Sequence, residues 1–332
     1  MLAVLCLTAC NARQQTPVQL EGATMGTTWH VTYIDPDGDF EAIAIQQGIE
    51  EQLTLVNRSM STYREDSEIS RFNISPSGQW FTVSPDFYTV LSTALAVGEQ
   101  SNGAYDVSVA PLVDLWGFGP GAAIDAPPSA SDIKRLLQRV GQQKLRLDGT
   151  RYGVMKLGEL SLDFSSLAKG YAVDLVANWM TKQGVSRFLV EVGGEMKMSG
   201  LSGRDDLWRV AIEEPDNMGR SVATAISLTD AAVATSGDYR NYFEVAEQRY
   251  SHSIDPRTGY PVAHDLVSVT VVHSSAMLAD AWATALTVLG AEQAMAVAQA
   301  QGLAVYFIRS AGEEYLHSHT TEFSGYLVAA QL

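Results

Sequence analysis

Residues 160–184 constrain the fold more than any other part of the chain. A short apolar run, Leu160 to Phe164, reads as a strand and leads directly into Ser165 and Ser166. The stretch 166–183 has the spacing of an amphipathic helix, carries Lys169 in its first turn and stops at Gly184. A strand that feeds a helix N-terminus presents unpaired backbone N–H groups and the positive end of the peptide dipoles. With a lysine beside it, that junction is a ready site for phosphate.

A local anion site is informative here because the chain as a whole is acidic. It has 22 basic and 38 acidic residues, a formal charge of −16. Such a surface argues against nucleic acid or anionic lipid as a general partner. An anionic ligand would need its repulsion offset, and a divalent cation is the usual means. The 332 residues, 46% of them hydrophobic, suffice for a sizeable core. Length alone allows one large domain or two, but no linker divides the chain convincingly and no repeat is visible.

Periodicity sketches the remaining elements. Thr27 to Ile34 alternates as a strand, and Glu41 to Val56 has a helical stripe at 42, 45, 49, 53 and 56. Pro85 opens a helix over 86–99 that ends before Asn102-Gly103, and Ser131 is placed to cap a short helix reaching Val140. Residues 117–130 form a breaker-rich loop. Short strand-like runs cover 144–163, Phe188 to Val192 is a strand closing on Gly193-Gly194, and 207–272 reads as successive strands. Helices over Ala276–Leu289 and onward to Gln301 precede two or three final strands. Helices that interrupt mostly antiparallel strands, without strict alternation, indicate an α+β domain.

Both cysteines, Cys6 and Cys10, lie in the first ten residues. Leu7-Thr8-Ala9-Cys10 matches the lipobox of bacterial lipoproteins, in which the cysteine is lipidated and becomes the first residue of the mature chain. The expected organisation is a signal segment over 1–9, a lipidated tether over 10–20 and a single domain over 21–332. The alternative for the first residues is an ordinary buried strand. No Lys or Arg precedes the cysteine to supply the positive start of a signal peptide.

Several constellations could carry chemistry. Asp280 and Thr284 lie four apart on one helix, so they share a face. A carboxylate and a hydroxyl, joined by backbone and phosphate oxygens, make a hard-cation site suited to Mg2+; helix-dipole compensation by Asp280 is the plainer alternative. His252, between two serines and just before the turn Asp255-Pro256-Arg257-Thr258-Gly259, is placed for acid–base work or is a surface histidine. Gly103-Ala104-Tyr105-Asp106 and Gly193-Gly194-Glu195 are loops whose backbone could approach a ligand closely. Ser166-x-x-Lys169 also matches the nucleophile motif of penicillin-reactive serine enzymes, and Arg257-Thr258-Gly259 imitates a second element of that group.

Taken in order, seven segments resemble the ApbE family of FAD:protein FMN transferases, from about Glu21 to Ala330. They are Met25 to Trp29; Met60 to Tyr63 with Ser67 to Asn73; Gly103 to Leu112; Asp163 to Asp174; Val192 to Glu195; Ser251 to Gly259; and Asp280 to Ala285. The resemblance implies a single compact α+β domain with a central FAD cleft. The implied activity cleaves FAD to AMP and attaches FMN by a phosphoester to a Thr or Ser of a target flavoprotein, with Mg2+ as cofactor. Implied acceptors are subunits of membrane redox complexes of the sodium-pumping NADH:quinone oxidoreductase or Rnf type. Implied Mg2+ ligands are Asp280, Thr284 and the main-chain carbonyl of Ser166. FAD contacts would come from Met25, Tyr63, Ala104, Tyr105, Asp106, Asp163, Lys169 and the segment His252 to Ile254. His252 and Lys169 would be catalytic, the first in proton transfer and the second on phosphoryl charge. Many relatives carry Gly or Ala where Ser165 and Ser166 stand, which a carbonyl ligand tolerates. The implied setting is the periplasmic side of a bacterial cell envelope, with Cys10 as membrane anchor. Three other functions compete: an FAD pyrophosphatase using the same site, a flavin-binding lipoprotein without catalysis, and the penicillin-reactive enzyme.

Overall fold

The computed structural model describes residues 16–121, 124–215, 221–237, 242–245, 248–312 and 314–328. Cys6, Cys10 and the expected signal segment lie outside them. The chain opens with β1 (Val18–Thr24) and β2 (Thr27–Tyr33), then α1 (Ala42–Met60), α2 (Glu68–Ile74), β3 (Trp80–Thr82) and α3 (Pro85–Gln100). Next come α4 (Ala110–Leu115), α5 (Ala130–Leu137), β4 (Leu145–Asp148), β5 (Gly153–Lys156) and α6 (Ala168–Lys182). A strand-rich half follows: β6 (Phe188–Val192), β7 (Glu195–Ser199), β8 (Trp208–Glu213), β9 (Val222–Leu228) and β10 (Ala231–Gly237). The chain then forms β11 (Tyr242–Val245), β12 (Gln248–Ser251), β13 (Leu266–His273), α7 (Ala276–Leu289), α8 (Ala291–Ala300), β14 (Ala304–Ala311) and β15 (Glu314–His319).

The main sheet has eight strands in the order β1-β2-β6-β7-β10-β13-β14-β15, every neighbouring pair antiparallel. Alternation along its central strands sends side chains to two different cores. Val269, Val271, Val305 and Phe307 face a helical layer built from α1, α3, α6 and α7. Val272, Ala304, Tyr306 and Ile308 face the other way, onto the β8–β9 ribbon and Phe323. The sheet is thus covered on both faces, and the α+β expectation holds. A third cluster, around Leu112, Trp116, Ile133 and Ile254, packs α4 and α5 against the segment after β12.

Four local expectations need correction. Leu160, Leu162, Asp163 and Phe164 are buried, but the segment pairs with no strand among the described residues. Asn73 does the work of a ladder there, accepting the Leu162 N–H at 2.7 Å and donating to the Leu162 carbonyl at 2.9 Å. The Asp163 N–H goes to the Val107 carbonyl at 2.8 Å. Helix α6 starts at Ala168, not at 166, because Ser165 and Ser166 form the turn before it. Helix α5 is capped by Ser129, whose hydroxyl accepts the Asp132 N–H, so Ser131 lies inside the helix. Residues 18–20, expected in the tether, form the start of β1 and pair with β2.

Candidate active site

A cleft of about 1030 Å3 opens between the helical layer and the strand-rich half. Every candidate residue in the described part of the chain lines it: Met25, Tyr63, Ala104, Tyr105, Asp106, Asp163, Ser166, Lys169, His252, Ile254, Asp280 and Thr284.

The floor is the junction between the 160–167 segment and α6. Ser165 donates its N–H to Asp163 Oδ1 at 2.7 Å, a turn that swings the chain into the helix. Gly170 is the third residue of α6, so its N–H is one of the first-turn donors with no acceptor inside the helix. Asp280 Oδ2 accepts it, at 3.0 Å. Among the described residues no donor reaches the Ser166 carbonyl. Gly170 permits this contact because α7 packs directly on it. A Cβ there would lie 2.3 Å from the Ala276 carbonyl oxygen and 2.8 Å from Met277 Cα.

Asp280 is 6% exposed, and burial raises its carboxyl above the ordinary range against the pull of the Lys169 charge and the Gly170 N–H. Thr284 follows one turn later on the same helix and lines the same cleft. A Mg2+ ion fits this donor set. The carboxylate, the threonine hydroxyl and the Ser166 carbonyl are all hard oxygens. No group of three or more His, Cys, Asp or Glu gathers among the described residues, so a cation here would complete its shell with water or with the ligand's own oxygens.

Lys169 reaches across to the β6–β7 turn. Its Nζ lies 2.6 Å from Glu195 Oε1, whose side chain is 4% exposed. Burial alone would lower the lysine, but Glu195 and Asp280 outweigh it and hold the amine protonated, above its ordinary value. Burial pushes Glu195 up to about 8, against the attraction of Lys169. The second carboxyl oxygen of Glu195 is buried without a hydrogen-bond partner. In the sequence Glu195 stands out only as part of a glycine-bearing loop. Its pairing with a residue 26 positions earlier leaves no local signal.

Tyr105 is 3% exposed, and its hydroxyl lies 2.8 Å from Ser166 Oγ. Burial raises the phenol well above its ordinary value, so it stays neutral. Ser166 Oγ is therefore committed to Tyr105 and Lys169 Nζ to Glu195, which is not the serine–lysine pair that a penicillin-reactive enzyme needs. Asp106 lines the cleft but spends both carboxylate oxygens on the loop: Oδ1 accepts from the Ser108 N–H and hydroxyl at 2.8 and 2.6 Å, and Oδ2 from the Gln142 N–H at 2.9 Å.

Met25 sits at the tip of the β1–β2 hairpin, where it and Gly26 both have positive φ, 49° and 72°, as a two-residue turn of this kind demands. Tyr63 stands on the rim, 73% exposed. His252 is half-buried and meets Phe118 edge to face, with ring centroids 6.3 Å apart. No sequence motif marks the opposite wall. It is made by Ala211 to Glu213 of β8 and Thr235 to Gly237 of β10, whose side chains carry no motif.

The profile of the ApbE family matches residues 25–307. A curated FAD:protein FMN transferase of Vibrio cholerae is 42% identical over 326 residues, 98% of this chain and 97% of the relative. One from Escherichia coli is 39% identical over 93% of this chain and 89% of its own length. Among solved structures, the flavin transferase ApbE of Vibrio cholerae superposes with a TM-score of 0.88 at 41% identity, covering 94% of this chain and 100% of that one. The apo flavinyl transferase ApbE of Pseudomonas stutzeri gives 0.86 at 37% identity, covering 93% and 96%. With the fold, the motif order and the cleft all in agreement, the chain belongs to the ApbE family.

Proposed function

We propose that this chain is an Mg2+-dependent FAD:protein FMN transferase, acting on a threonine or serine of a flavoprotein subunit in a membrane redox complex. The observation that carries the reading is the meeting of Asp280 with the α6 N-terminus. Asp280 takes the Gly170 N–H, which has no acceptor inside the helix, in a cleft also lined by Ser166, Lys169, Thr284 and His252.

FAD would lie along the wall of Met25, Tyr63 and Ala104 to Asp106, with its pyrophosphate over the start of α6. There the helix N-terminus and Lys169 offset the repulsion of a chain with a net charge of −16. Mg2+ held by Asp280, Thr284 and the Ser166 carbonyl would supply further charge neutralisation at the phosphoryl oxygens. The acceptor hydroxyl oxygen attacks the phosphorus on the flavin side. A new P–O ester bond forms, the bond from that phosphorus to the bridging oxygen breaks, and AMP leaves with the bridging oxygen and its electron pair. His252 takes the hydroxyl proton, and Lys169 balances charge on the transferring group.

The test is to incubate the full chain with FAD, Mg2+ and the flavin-acceptor domain of a sodium-pumping NADH:quinone oxidoreductase, reading intact mass with and without EDTA. One FMN gained by the acceptor, AMP released and both abolished by EDTA is the expected result. Free FMN and AMP with an unmodified acceptor would favour the pyrophosphatase, and intact FAD would leave only binding. A His252→Ala chain that transfers FMN at the wild-type rate would remove the histidine from the proton step.

We further propose that Cys10 carries a lipid that holds the domain at the periplasmic side of a bacterial cell envelope. The support is the Leu7-Thr8-Ala9-Cys10 pattern ahead of a polar stretch. Cys10→Ser should move the protein from the membrane to the soluble fraction; an unchanged membrane fraction would dispose of the anchor.

A further inference from the structure

A protein acceptor differs from water or a small alcohol in that its hydroxyl arrives on a backbone, which must pass through the cleft. The wall opposite the nucleotide side contains a strand edge able to receive one. β8 pairs on one side with β9, placing Ala211 directly opposite Ala225. On the far side of β9, the Ala225 carbonyl accepts the Val328 N–H at 3.0 Å, beside the Ile226–Leu327 bridge. A strand residue points its N–H and C=O to the same side, so those of Ala225 point away from β8. Ala211 and Ala225 are therefore a pair without mutual hydrogen bonds, and the Ala211 N–H and C=O face outward. The Glu214 N–H, which bonds the Ser221 carbonyl at 2.9 Å, gives the same alternation independently.

No strand pairs with that outer edge of β8 among the described residues. Ala211 is exposed, and with Ile212 and Glu213 it lines the cleft that holds Lys169 and Asp280. The edge is short. Arg209 is exposed on one side of Ala211, and a bulge falls between Ile212 and Glu213 on the other, both of which discourage long edge-to-edge pairing. Nearby, β10 pairs with β13 as far as Gly237 but with β7 only as far as Val233, so Thr235 to Gly237 also line the cleft with no strand on the β7 side among the described residues.

We propose that the acceptor protein binds as an added β-strand on the open edge of β8, its backbone pairing with the outward N–H and C=O of Ala211. This rests on the transferase reading above. Backbone pairing supplies affinity with little demand on acceptor sequence, while the cleft selects the hydroxyl-bearing residue that reaches the phosphate.

Proline at 211 deletes only the outward N–H and leaves the β9 pairing intact, a position where edge strands accept it. With the full chain and the same acceptor domain, Ala211→Pro should raise KM for the acceptor roughly tenfold, the worth of one hydrogen bond. FAD affinity, read by flavin fluorescence, should stay within about twofold, and Ala211→Val, which keeps the N–H, should behave like wild type. An unchanged acceptor KM in Ala211→Pro overturns the proposal. An equal loss of FAD affinity also overturns it, since the edge would then serve the nucleotide. Should the proline variant fail to fold, the wild-type chain is assayed with acceptor peptides N-methylated one residue at a time. Losses at alternate residues support strand addition, and uniform losses or none overturn it. Absence of any transfer by the wild-type chain would sink the transferase reading and this proposal together, whereas transfer with no sensitivity at Ala211 sinks this one alone.

Discussion

Gly170 gives its N–H to Asp280 at 3.0 Å, and that single bond joins the first turn of α6 to the middle of α7. The joint tolerates no side chain at 170, because the nearest atoms are backbone and cannot rotate away. Gly170→Ala should therefore destabilise the fold by about 3 kcal/mol, the upper part of the usual overpacking range, although alanine is the better helix former. Urea denaturation measures the loss. A variant as stable as wild type would mean that α7 does not press on α6 as described.

Asp280→Asn separates charge from architecture. Asparagine keeps an oxygen for the Gly170 N–H and removes a carboxylate that burial disfavours. The variant should be at least as stable as wild type and should bind FAD without metal equally well or better, since one negative charge leaves the phosphate side. Transfer of FMN at fixed Mg2+ should fall by about 100-fold or more, the usual scale for losing a charged group aimed at a transferring phosphate. Activity retained at low Mg2+ would exclude Asp280 as the metal carboxylate.

Glu195 gives a pH signature. Its carboxyl is pushed up to about 8, first by burial, while Lys169 opposes the rise. Below that pH it carries a proton and the Lys169 charge is fully available to a phosphate; above it the carboxylate neutralises the lysine. Metal-free FAD binding should therefore weaken as pH rises from 7 to 9, and Glu195→Gln should flatten that dependence. The same shift bears on folding. The folded chain holds a proton that the unfolded chain releases at its ordinary, lower pKa of 4.5, so this group's contribution to stability declines as pH rises from there through about 8. A pH-independent FAD affinity in the wild-type chain would show that the Glu195–Lys169 pair does not titrate in this window.

The parts of the site carried by one element were legible in the sequence. Asp280 and Thr284 share a face because four residues make roughly one turn, and the helix that carries them spans 276–289 as the apolar spacing and Gly290 require. The contacts between distant elements were not. Leu160 to Phe164 has the composition of a strand, and only the side chain of Asn73, 89 positions from Leu162, explains why it needs none. Nothing near Glu195 marks it as the partner of Lys169, and the β8–β10 wall is made of backbone whose orientation depends on pairing register. The use of Gly170 is visible only once α7 is laid against it.

Asp174 offers the last prediction, since it positions the helix that carries Asp280 without touching the cleft. It accepts from Lys197 Nζ and the Ser275 hydroxyl, each at 2.6 Å, and from the Met277 N–H at 3.0 Å. One carboxylate thus joins α6, β7 and the N-terminus of α7. The pair is largely buried, with side-chain exposures of 20% for Lys197 and 12% for Asp174. Removing one member of such a pair leaves the other charge without compensation, so Asp174→Ala should cost about 3–5 kcal/mol. Lys197→Met leaves Asp174 its two donors at the start of α7 and should cost less. Combining the two should be markedly less costly than their sum, because the second change removes the charge stranded by the first. Strict additivity in denaturant titrations of the two single variants and the double would mean that Lys197 and Asp174 do not interact in solution.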